Sequence, residues 1–219
     1  MDDETSPMRR SPRQARGRQR VALLLDAAEE LFGELGYEAA TTNQIAARAG
    51  VPIGSLYQYF PNKEAIVAAV AARYREAAGA ALDAAVGPET AALPPAELAA
   101  RLLDAMVGFG TARMGFTRTV LQAGASPHLA GVAGALMDTA AARLEAALAA
   151  RRPALPADQR PLAARVAMTA VMALLTLVTA EKARGETHVK ALLGEAHQLL
   201  AAYLAAVDAR AASGQSPLN

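Results

Sequence analysis

Residues 42–60 read TNQIAARAGVPIGSLYQYF, and this stretch predicts two short helices that meet at a tight turn. Helices that cross closely need a small side chain where they touch, and Ala46 provides it. The turn needs a residue that tolerates a positive φ, and Gly50 does so because it lacks a Cβ atom. The neighbouring apolar residues are spaced to close a small core: Ile45, Ala49, Val51 and Leu56. This is the pattern of a helix-turn-helix, whose second helix enters the major groove of DNA.

The residues on either side of this stretch predict the helices that support it. Apolar residues at helical spacing predict a first helix over about 18–35, which Gly36 ends in the left-handed conformation. Thr41 and Gln44 have the spacing of a capping box at the start of the second helix. After the break at Pro61, Asn62 can cap a fourth helix.

The composition favours helices but gives no general support for nucleic-acid binding. Hydrophobic residues make up 53% of the 219 residues and aromatic residues only 4%, with abundant Ala, which is typical of an all-α protein. The 22 basic and 21 acidic residues nearly cancel, so any argument for DNA must rest on where the charges lie. The first 20 residues carry a basic run: Arg9, Arg10, Arg13, Arg16, Arg18 and Arg20. This run is either a solvated tail or an arm that follows phosphates or enters a minor groove.

Several functional classes find no support in the sequence. The chain has no Cys, which excludes disulfides, thiolate zinc sites and Cys nucleophiles. His128, His188 and His197 do not have the spacing of a metal site, and we find no G-x-S-x-G, P-loop or G-x-G-x-x-G motif. The N-terminus lacks an apolar signal core, and the apolar stretch 166–180 is shorter than the ~20 residues of a membrane helix. We therefore expect a cytoplasmic protein with no membrane partner, no cofactor, no metal and no enzymatic activity.

The segment from Tyr37 to Ala65 resembles the DNA-binding signature of TetR-family regulators. The resemblance is carried by Thr42, Ile45-Ala46, Ala49-Gly50-Val51, Gly54, Leu56-Tyr57, Tyr59-Phe60 and Lys63-Glu64. It covers about residues 18–70, and the remainder is similar to the family only in helical layout and length. The resemblance implies an all-α fold, with an N-terminal three-helix helix-turn-helix DNA-binding domain and a C-terminal helical domain for ligand binding and dimerisation.

The resemblance also implies roles for individual residues in the first 65. Eight residues would contact DNA: Thr42, Asn43, Ile53, Gly54, Ser55, Tyr57, Tyr59 and Lys63. Ile53, Gly54 and Ser55 would face base edges, whereas Lys63, at a helix N-terminus, would clamp a phosphate. Pro52 departs from the family, which usually has Ser or Thr there. Proline suits a first helical turn but removes a hydroxyl and an N–H group.

Beyond residue 95 the pattern stays helical, over about 96–114, 116–123, 128–151, 160–184 and 188–209. The last two of these helices have more apolar surface than one neighbour can cover. Two such helices from each subunit can form a four-helix bundle, with Leu200 as a candidate interface residue. A monomeric core that buries both helices is the alternative, but a helix-turn-helix favours a homodimer because two-fold operators need two-fold proteins.

Methionine and phenylalanine side chains in the same region are candidates for a ligand pocket. The candidate lining is Met106, Phe109, Phe116, Met137, Met168 and Met172. Methionine adapts to varied apolar shapes, which suits ligand recognition. Methionine at helical spacing is more often a plain core residue, and for any single one of these residues the core is the favoured interpretation. We expect a small, mainly apolar effector that is uncharged or weakly charged.

These observations predict four segments and one function. The segments are a flexible basic arm (1–17), the helix-turn-helix domain (18–64), the effector-binding and dimerisation domain (65–210) and a disordered tail (211–219). The predicted function is that of a one-component transcriptional regulator, a repressor that binds palindromic double-stranded operator DNA as a homodimer and is released by its effector. The alternatives are an effector-independent or architectural DNA-binding protein, or a helical enzyme.

Overall fold

The computed structural model describes residues 12–121 and 127–213, and within these ranges the chain forms helices and no strand. The helices are α1 (Pro12–Leu35), α2 (Thr42–Arg48), α3 (Ile53–Tyr59), α4 (Lys63–Val86), α5 (Pro95–Ala112), α6 (Met114–Leu121), α7 (Pro127–Arg151), α8 (Gln159–Glu181) and α9 (Glu186–Ser213). Short 3₁₀ turns lie at Pro88–Thr90 and Lys182–Arg184. The predicted all-α fold is confirmed.

The chain divides into two compact units, which we call the first unit (up to Val70) and the second unit (from Ala71). Helix α4 supplies residues to both. The boundary lies six residues beyond the predicted end of the DNA-binding domain at residue 64. The first two turns of α4 carry buried apolar side chains, including Ile66 and Val67, and therefore belong to the first unit.

The start of α1 differs from the prediction. The helix begins at Pro12 rather than near Arg18, so the predicted flexible arm is wrong for residues 12–17. Proline is tolerated in a first turn because its missing N–H would have no partner there. Gly17 costs about 1 kcal/mol relative to alanine, but the Gln, Ala and Arg residues around it favour a helix. Residues 1–11 lie outside the described ranges.

The predicted helix ends of the first unit are confirmed. Gly36 and Gly50 have φ values of 80° and 63°, which side chains rarely adopt. The Gln44 N–H donates to Thr41 Oγ1 at 3.2 Å, and the Thr41 N–H donates to Gln44 Oε1 at 2.9 Å, which completes the capping box. At the start of α4 the Ala65 N–H donates to Asn62 Oδ1 at 2.8 Å.

A small apolar core and surface ion pairs hold the first unit together. Ile45 and Leu56 are fully buried, and Ala46 is 3% exposed, as the pattern of a helix-turn-helix requires. Outside this core the Arg48 guanidinium of α2 pairs with Glu34 of α1 at 2.9 Å and with Glu30 at 3.2 Å. These pairs connect α2 to α1 on the solvent side.

The second unit packs its long helices around one apolar core. Helix α5 lies against α9, α7 lies against α8, and α8 also contacts α9. The core is formed mainly by aliphatic side chains, among them Leu102, Leu103, Leu144, Leu148, Val171, Leu200 and Leu204. Arg151 is a buried charged residue of the second unit. It pairs with Asp208 of α9 at 2.7 Å and donates to the carbonyl oxygens of Ala91 and Leu93.

The C-terminal end of α9 also extends further than predicted. The helix continues to Ser213, so the predicted disordered tail is wrong for residues 211–213. Burial explains the difference, because Ala211 is only 6% exposed and belongs to the core of the second unit. Residues 214–219 lie outside the described ranges.

The segment Gln159–Arg184 is long and apolar enough to cross a membrane by length and composition alone. One side of it is buried in the second unit, where Ala164, Ala167 and Val171 are fully covered. A helix that packs in the core of a protein can have the same length and apolar composition as a membrane-spanning helix. Helix α8 packs against α7 and α9 in this way.

Candidate functional site

Helix α3 presents one face to solvent and buries the other. Leu56 is fully buried, whereas Ile53 and Tyr57 are 39% and 52% exposed. Gly54 is exposed, and a Cβ atom added to it would meet nothing within 4 Å. Ser55 and Tyr59 are half-buried at the edges of this face. An exposed helix with large apolar and aromatic side chains, next to a bare glycine, can lie against the edges of bases in a groove.

The start of α2 is joined to α3 by a side-chain hydrogen bond. The Thr42 Oγ1 and the Tyr57 hydroxyl lie 3.1 Å apart. Asn43, the next residue of α2, is exposed. Thr42 therefore orients the Tyr57 ring, so that hydroxyl groups from two helices lie together at one edge of the exposed face.

Basic residues of α1 lie near the far edge of this face. A Cβ atom added to Gly17 would lie 3.6 Å from the Tyr59 hydroxyl, so α1 passes close to α3 here. Arg16, Arg18 and Arg20 are exposed beside Gly17, and Arg20 follows it by three residues, about one helical turn. Part of the predicted basic arm is therefore helical and placed next to α3, which the sequence pattern did not reveal.

Lys63 makes contacts inside the first unit that the sequence did not predict. Its ammonium donates to the carbonyl oxygens of Tyr37 at 2.8 Å and Glu38 at 3.1 Å. It also lies 4.4 Å from the centre of the Tyr37 ring. Two of its three protons are thus used by the α1–α2 loop, and a phosphate contact from Lys63 stays a prediction.

Tyr37 itself is a buried phenol that faces carboxylates. Burial, followed by the nearby charges of Glu64 and Glu38, raises the pKa of Tyr37 to about 12. Its hydroxyl donates to Glu64 Oε1 at 3.4 Å. The loop before α2 is thereby fixed to the first turn of α4.

The second unit contains a cavity of about 210 Å³. Its lining is mostly apolar and comes from α4 to α8: Tyr74, Arg75, Ala78, Gly79, Leu82, Met106, Phe109, Val120, Ala133, Leu136, Met137, Thr139, Ala140, Met168, Met172 and Leu175. Five of the six predicted lining residues are in this set. Phe116 is not, because it is fully buried against the Tyr74 ring, with 5.2 Å between the ring centroids. That ligands bind in this cavity stays a prediction.

The sequence did not identify the residues that α4 contributes to the cavity. Tyr74 fits the apolar stripe of α4, which suggests a core residue, and Arg75 is one arginine among many in this chain. Only the packing of α4 against the other helices brings Tyr74, Arg75 and Gly79 to the cavity. No sequence signal distinguishes them beforehand.

An apolar stripe of α8 faces solvent. Leu162, Val166 and Leu177 are 58%, 43% and 42% exposed, and they recur at helical spacing. On α9, which packs against α8, Leu199 is 56% exposed, whereas Leu200 is fully buried. The prediction of Leu200 as an interface residue is therefore wrong, because one residue along a helix turns the side chain by about 100°.

No metal site is found among residues 12–121 and 127–213, where no three His, Asp or Glu side chains are grouped closely enough to hold an ion. The described imidazoles instead pair with single carboxylates. His188 lies 3.0 Å from Glu181, and His197 lies 3.0 Å from Asp104. The side chain of His128 lies outside the described residues.

Two family models match this chain. The model for bacterial regulatory proteins of the tetR family matches residues 24–70. The model for the tetracyclin repressor-like C-terminal domain matches residues 94–204, which is half of the chain. The chain belongs to the TetR family. The predicted resemblance is thereby confirmed, and it extends to the C-terminal region, where the sequence had indicated only helical layout.

Individual relatives support the same conclusion. The transcriptional repressor KstR2 of Rhodococcus jostii is 40% identical over 68 residues, which cover 27% of this chain and 33% of that protein. The curated relatives are matched over only 21% to 33% of their own lengths. Their similarity to this TetR-family chain therefore concerns about a quarter of it.

Solved structures cover much more of the chain. A TetR-family transcriptional regulator from Streptomyces coelicolor is 27% identical, with a TM-score of 0.63, and the match covers 86% of this chain and 99% of that one. SmeT in its complex with triclosan is 24% identical, with a TM-score of 0.65, and the match covers 84% of this chain and 90% of the SmeT chain. The SmeT match shows the shared fold.

Proposed function

We propose that this TetR-family protein is a one-component transcriptional repressor in the cytoplasm. In this proposal it binds a palindromic operator as a homodimer and leaves the DNA when a small, mainly apolar effector enters the cavity of the second unit. The observation that carries the proposal is the exposed face of α3, with Tyr57 held by Thr42 at its edge. The protein acts by binding rather than by catalysis, as its family does.

The chemistry of α2 and α3 supports contact with duplex DNA. Ile53, Gly54 and Ser55 would face the bases, because Gly54 allows close approach and Ile53 offers apolar contact to a thymine methyl group. Thr42, Tyr57 and Tyr59 would donate to phosphates. Asn43 would reach a base, and the exposed arginines of α1 would supply salt-dependent attraction to the backbone.

The exposed stripe of α8 supports the homodimer. Soluble monomers rarely expose a large continuous apolar patch, and Leu162, Val166, Leu177 and Leu199 would form one. A two-fold interface would cover the same stripe on both subunits. It would also provide the two copies of α3 that a palindrome requires, with half-sites roughly 34–36 Å apart.

The cavity supports control by a small molecule. SmeT is known in complex with triclosan, an example of a small ligand held by a protein of this fold. Here α4 contributes Tyr74, Arg75 and Gly79 to the cavity and Ile66 and Val67 to the core of the first unit. A ligand that shifts α4 would therefore affect both units. To lower the affinity for DNA tenfold, the effector must bind the DNA-incompetent state more tightly than the DNA-binding state by about 1.4 kcal/mol.

Selection of bound fragments from genomic DNA tests this function. We expect one enriched palindrome that is protected in footprints over one or a few sites. Ser55→Ala should change the preferred base at one position of each half-site, whereas the control Glu76→Gln, an exposed residue of the second unit, should leave the motif unchanged. Uniform coating of DNA without a motif would indicate an architectural protein and overturn the proposal.

A further inference from the structure

Arg75 stands out in the lining of the cavity. Among the described residues that line the cavity it is the single charged one, and the others are apolar apart from Tyr74 and Thr139. Among residues 12–121 and 127–213, no carboxylate or carbonyl oxygen accepts a hydrogen bond from its guanidinium. Arg75 is exposed, which places it where the cavity opens to solvent. Within the described part of the chain, the cavity thus has an apolar interior and one positive charge that no carboxylate neutralises.

A second arginine near the cavity is already neutralised. Arg143 of α7 lies directly over Gly79 of α4, where an added Cβ atom would overlap with the guanidinium. Its Nη1 pairs with Asp83 Oδ2 at 2.9 Å. Because this pair is complete, Arg143 does not add a free charge to the wall that Gly79 forms.

The uncharged polar groups of the lining are also satisfied within the protein. The Tyr74 hydroxyl lies 2.9 Å from Thr117 Oγ1, and both residues are buried. The Thr139 hydroxyl donates to the carbonyl oxygen of Ala135 at 2.9 Å. A ligand would therefore find Arg75 as the strong donor of this cavity.

We propose that the effector is an apolar monocarboxylate, whose hydrocarbon body fills the cavity and whose carboxylate pairs with Arg75. This rests on the proposed function, since it names the class of effector for the same cavity. A guanidinium binds a carboxylate through two parallel N–H···O bonds, so it selects an anionic end group over a hydroxyl or an ammonium. A dry cavity of about 150 Å³ accommodates benzene. The larger cavity here accommodates a larger body, such as a medium-length alkyl chain.

The exposure of Arg75 sets the size of the effect. Water and salt screen an ion pair at the mouth of a cavity, so most of the affinity comes from the buried hydrocarbon. We expect a carboxylate to bind about tenfold more tightly than a neutral compound with the same chain. An ammonium with that chain should bind more weakly than both.

Calorimetric titration of the full-length protein with octanoate, 1-octanol and octylammonium tests the inference. Arg75→Gln should remove the preference for octanoate and leave the affinity for octanol unchanged, whereas Arg75→Lys should keep part of the preference. The matched control is Arg101→Gln, since Arg101 is an exposed residue of α5 that pairs with Glu97 and does not line the cavity. It should behave as the wild type does.

Three results would overturn the inference. Equal affinity for octanoate and octanol would show that Arg75 does not select the effector, while release of the operator by octanol would still support the proposed function. A preference that persists in Arg75→Gln would place the carboxylate elsewhere. Failure of all three probes to bind would refute the alkyl carboxylate class, and binding of the operator by the same preparation would show that the repressor function stands.

Discussion

The Lys63 ammonium donates a hydrogen bond of 2.8 Å to the carbonyl oxygen of Tyr37. Together with the 3.1 Å bond to the Glu38 carbonyl oxygen, it fixes the loop between α1 and α2 to the first residue of α4. The family resemblance assigns this lysine to a phosphate. The structure adds an internal role, because the position of α2 depends on the loop that Lys63 holds.

Substitution of Lys63 should therefore affect folding as well as DNA affinity. We expect Lys63→Met to lower the free energy of unfolding by about 1–2 kcal/mol, because hydrogen bonds from a charged donor are lost. If Lys63 also neutralises a phosphate, the slope of log K against log salt should fall by about one. Urea unfolding and salt-dependent DNA titrations measure the two effects. The control Lys182→Met, at an exposed lysine of the second unit, should change neither the free energy of unfolding nor the salt slope. A salt slope of Lys63→Met equal to that of the wild type would contradict the phosphate contact.

Tyr37 should make the protein sensitive to alkaline pH. Burial raises the pKa of the folded phenol to about 12, above its ordinary value of about 10. The folded state therefore keeps the proton that the unfolded state loses, so the stabilisation is fully present below pH ~10 and is lost as the pH rises towards 12. Between pH 9 and 11.5 the free energy of unfolding should fall for both proteins, and we expect the fall to be about 1–2 kcal/mol smaller for Tyr37→Phe than for the wild type. Urea unfolding at each pH measures this difference. Tyr57→Phe, at an exposed ring, should follow the wild type; parallel curves for all three proteins would refute this assignment.

Leu199 and Leu200 offer a matched pair for testing the dimer. Leu199 is 56% exposed and Leu200 is fully buried. Leu199→Arg should give a folded protein with half the mass of the wild type in light scattering, because the charge lies in the proposed interface. Leu200→Arg should abolish folding, since it buries an unpaired charge at a cost of more than about 4 kcal/mol. A wild-type monomer at micromolar concentration, or a Leu199→Arg dimer, would contradict the proposed interface.

Local signals predicted the first unit well, because its architecture depends on a few residues with strict requirements. A positive φ at Gly50 and a capping box at Thr41 can both be inferred from neighbouring residues, and both are present. The start of α1 at Pro12 was missed because Pro and Gly usually discourage a helix, although proline is tolerated in the first turn.

The cavity depends on tertiary packing, and sequence predicted only part of it. The helical spacing of Met106 and Met168 indicated that they face inward, but it could not distinguish a cavity wall from a filled core. Phe116 satisfied the same pattern and is core. Arg75 could not be recognised, because its importance depends on the apolar side chains that α5 to α8 bring around it and on the absence of an acceptor within the described residues.

Arg151 should be among the most sensitive positions of the second unit. Its side chain is 2% exposed and pairs at 2.7 Å with Asp208, whose side chain is 13% exposed. Removing one partner of a buried pair typically costs 3–5 kcal/mol, because the other charge stays buried. Asp208 keeps a second contact with Arg152 at 2.8 Å, so we expect the lower end of this range, about 3 kcal/mol, for Arg151→Met.

A double-mutant cycle separates this ion pair from the other contacts of Arg151. Arg151→Met combined with Asp208→Leu removes both charges and should recover part of the loss, leaving the cost of the unpaired Ala91 and Leu93 carbonyl oxygens. Urea unfolding at one fixed protein concentration is needed, because the stability of the proposed dimer would depend on concentration. The control is the ion pair of Lys190 with Glu186, in which Lys190 Nζ lies 2.7 Å from Glu186 Oε1. The two side chains are 72% and 82% exposed, so Lys190→Met should change the free energy of unfolding by less than about 0.5 kcal/mol. If Arg151→Met were as mild as Lys190→Met, α7 would not depend on this pair for its attachment to α9, and the core of the second unit would have to be explained by apolar packing alone.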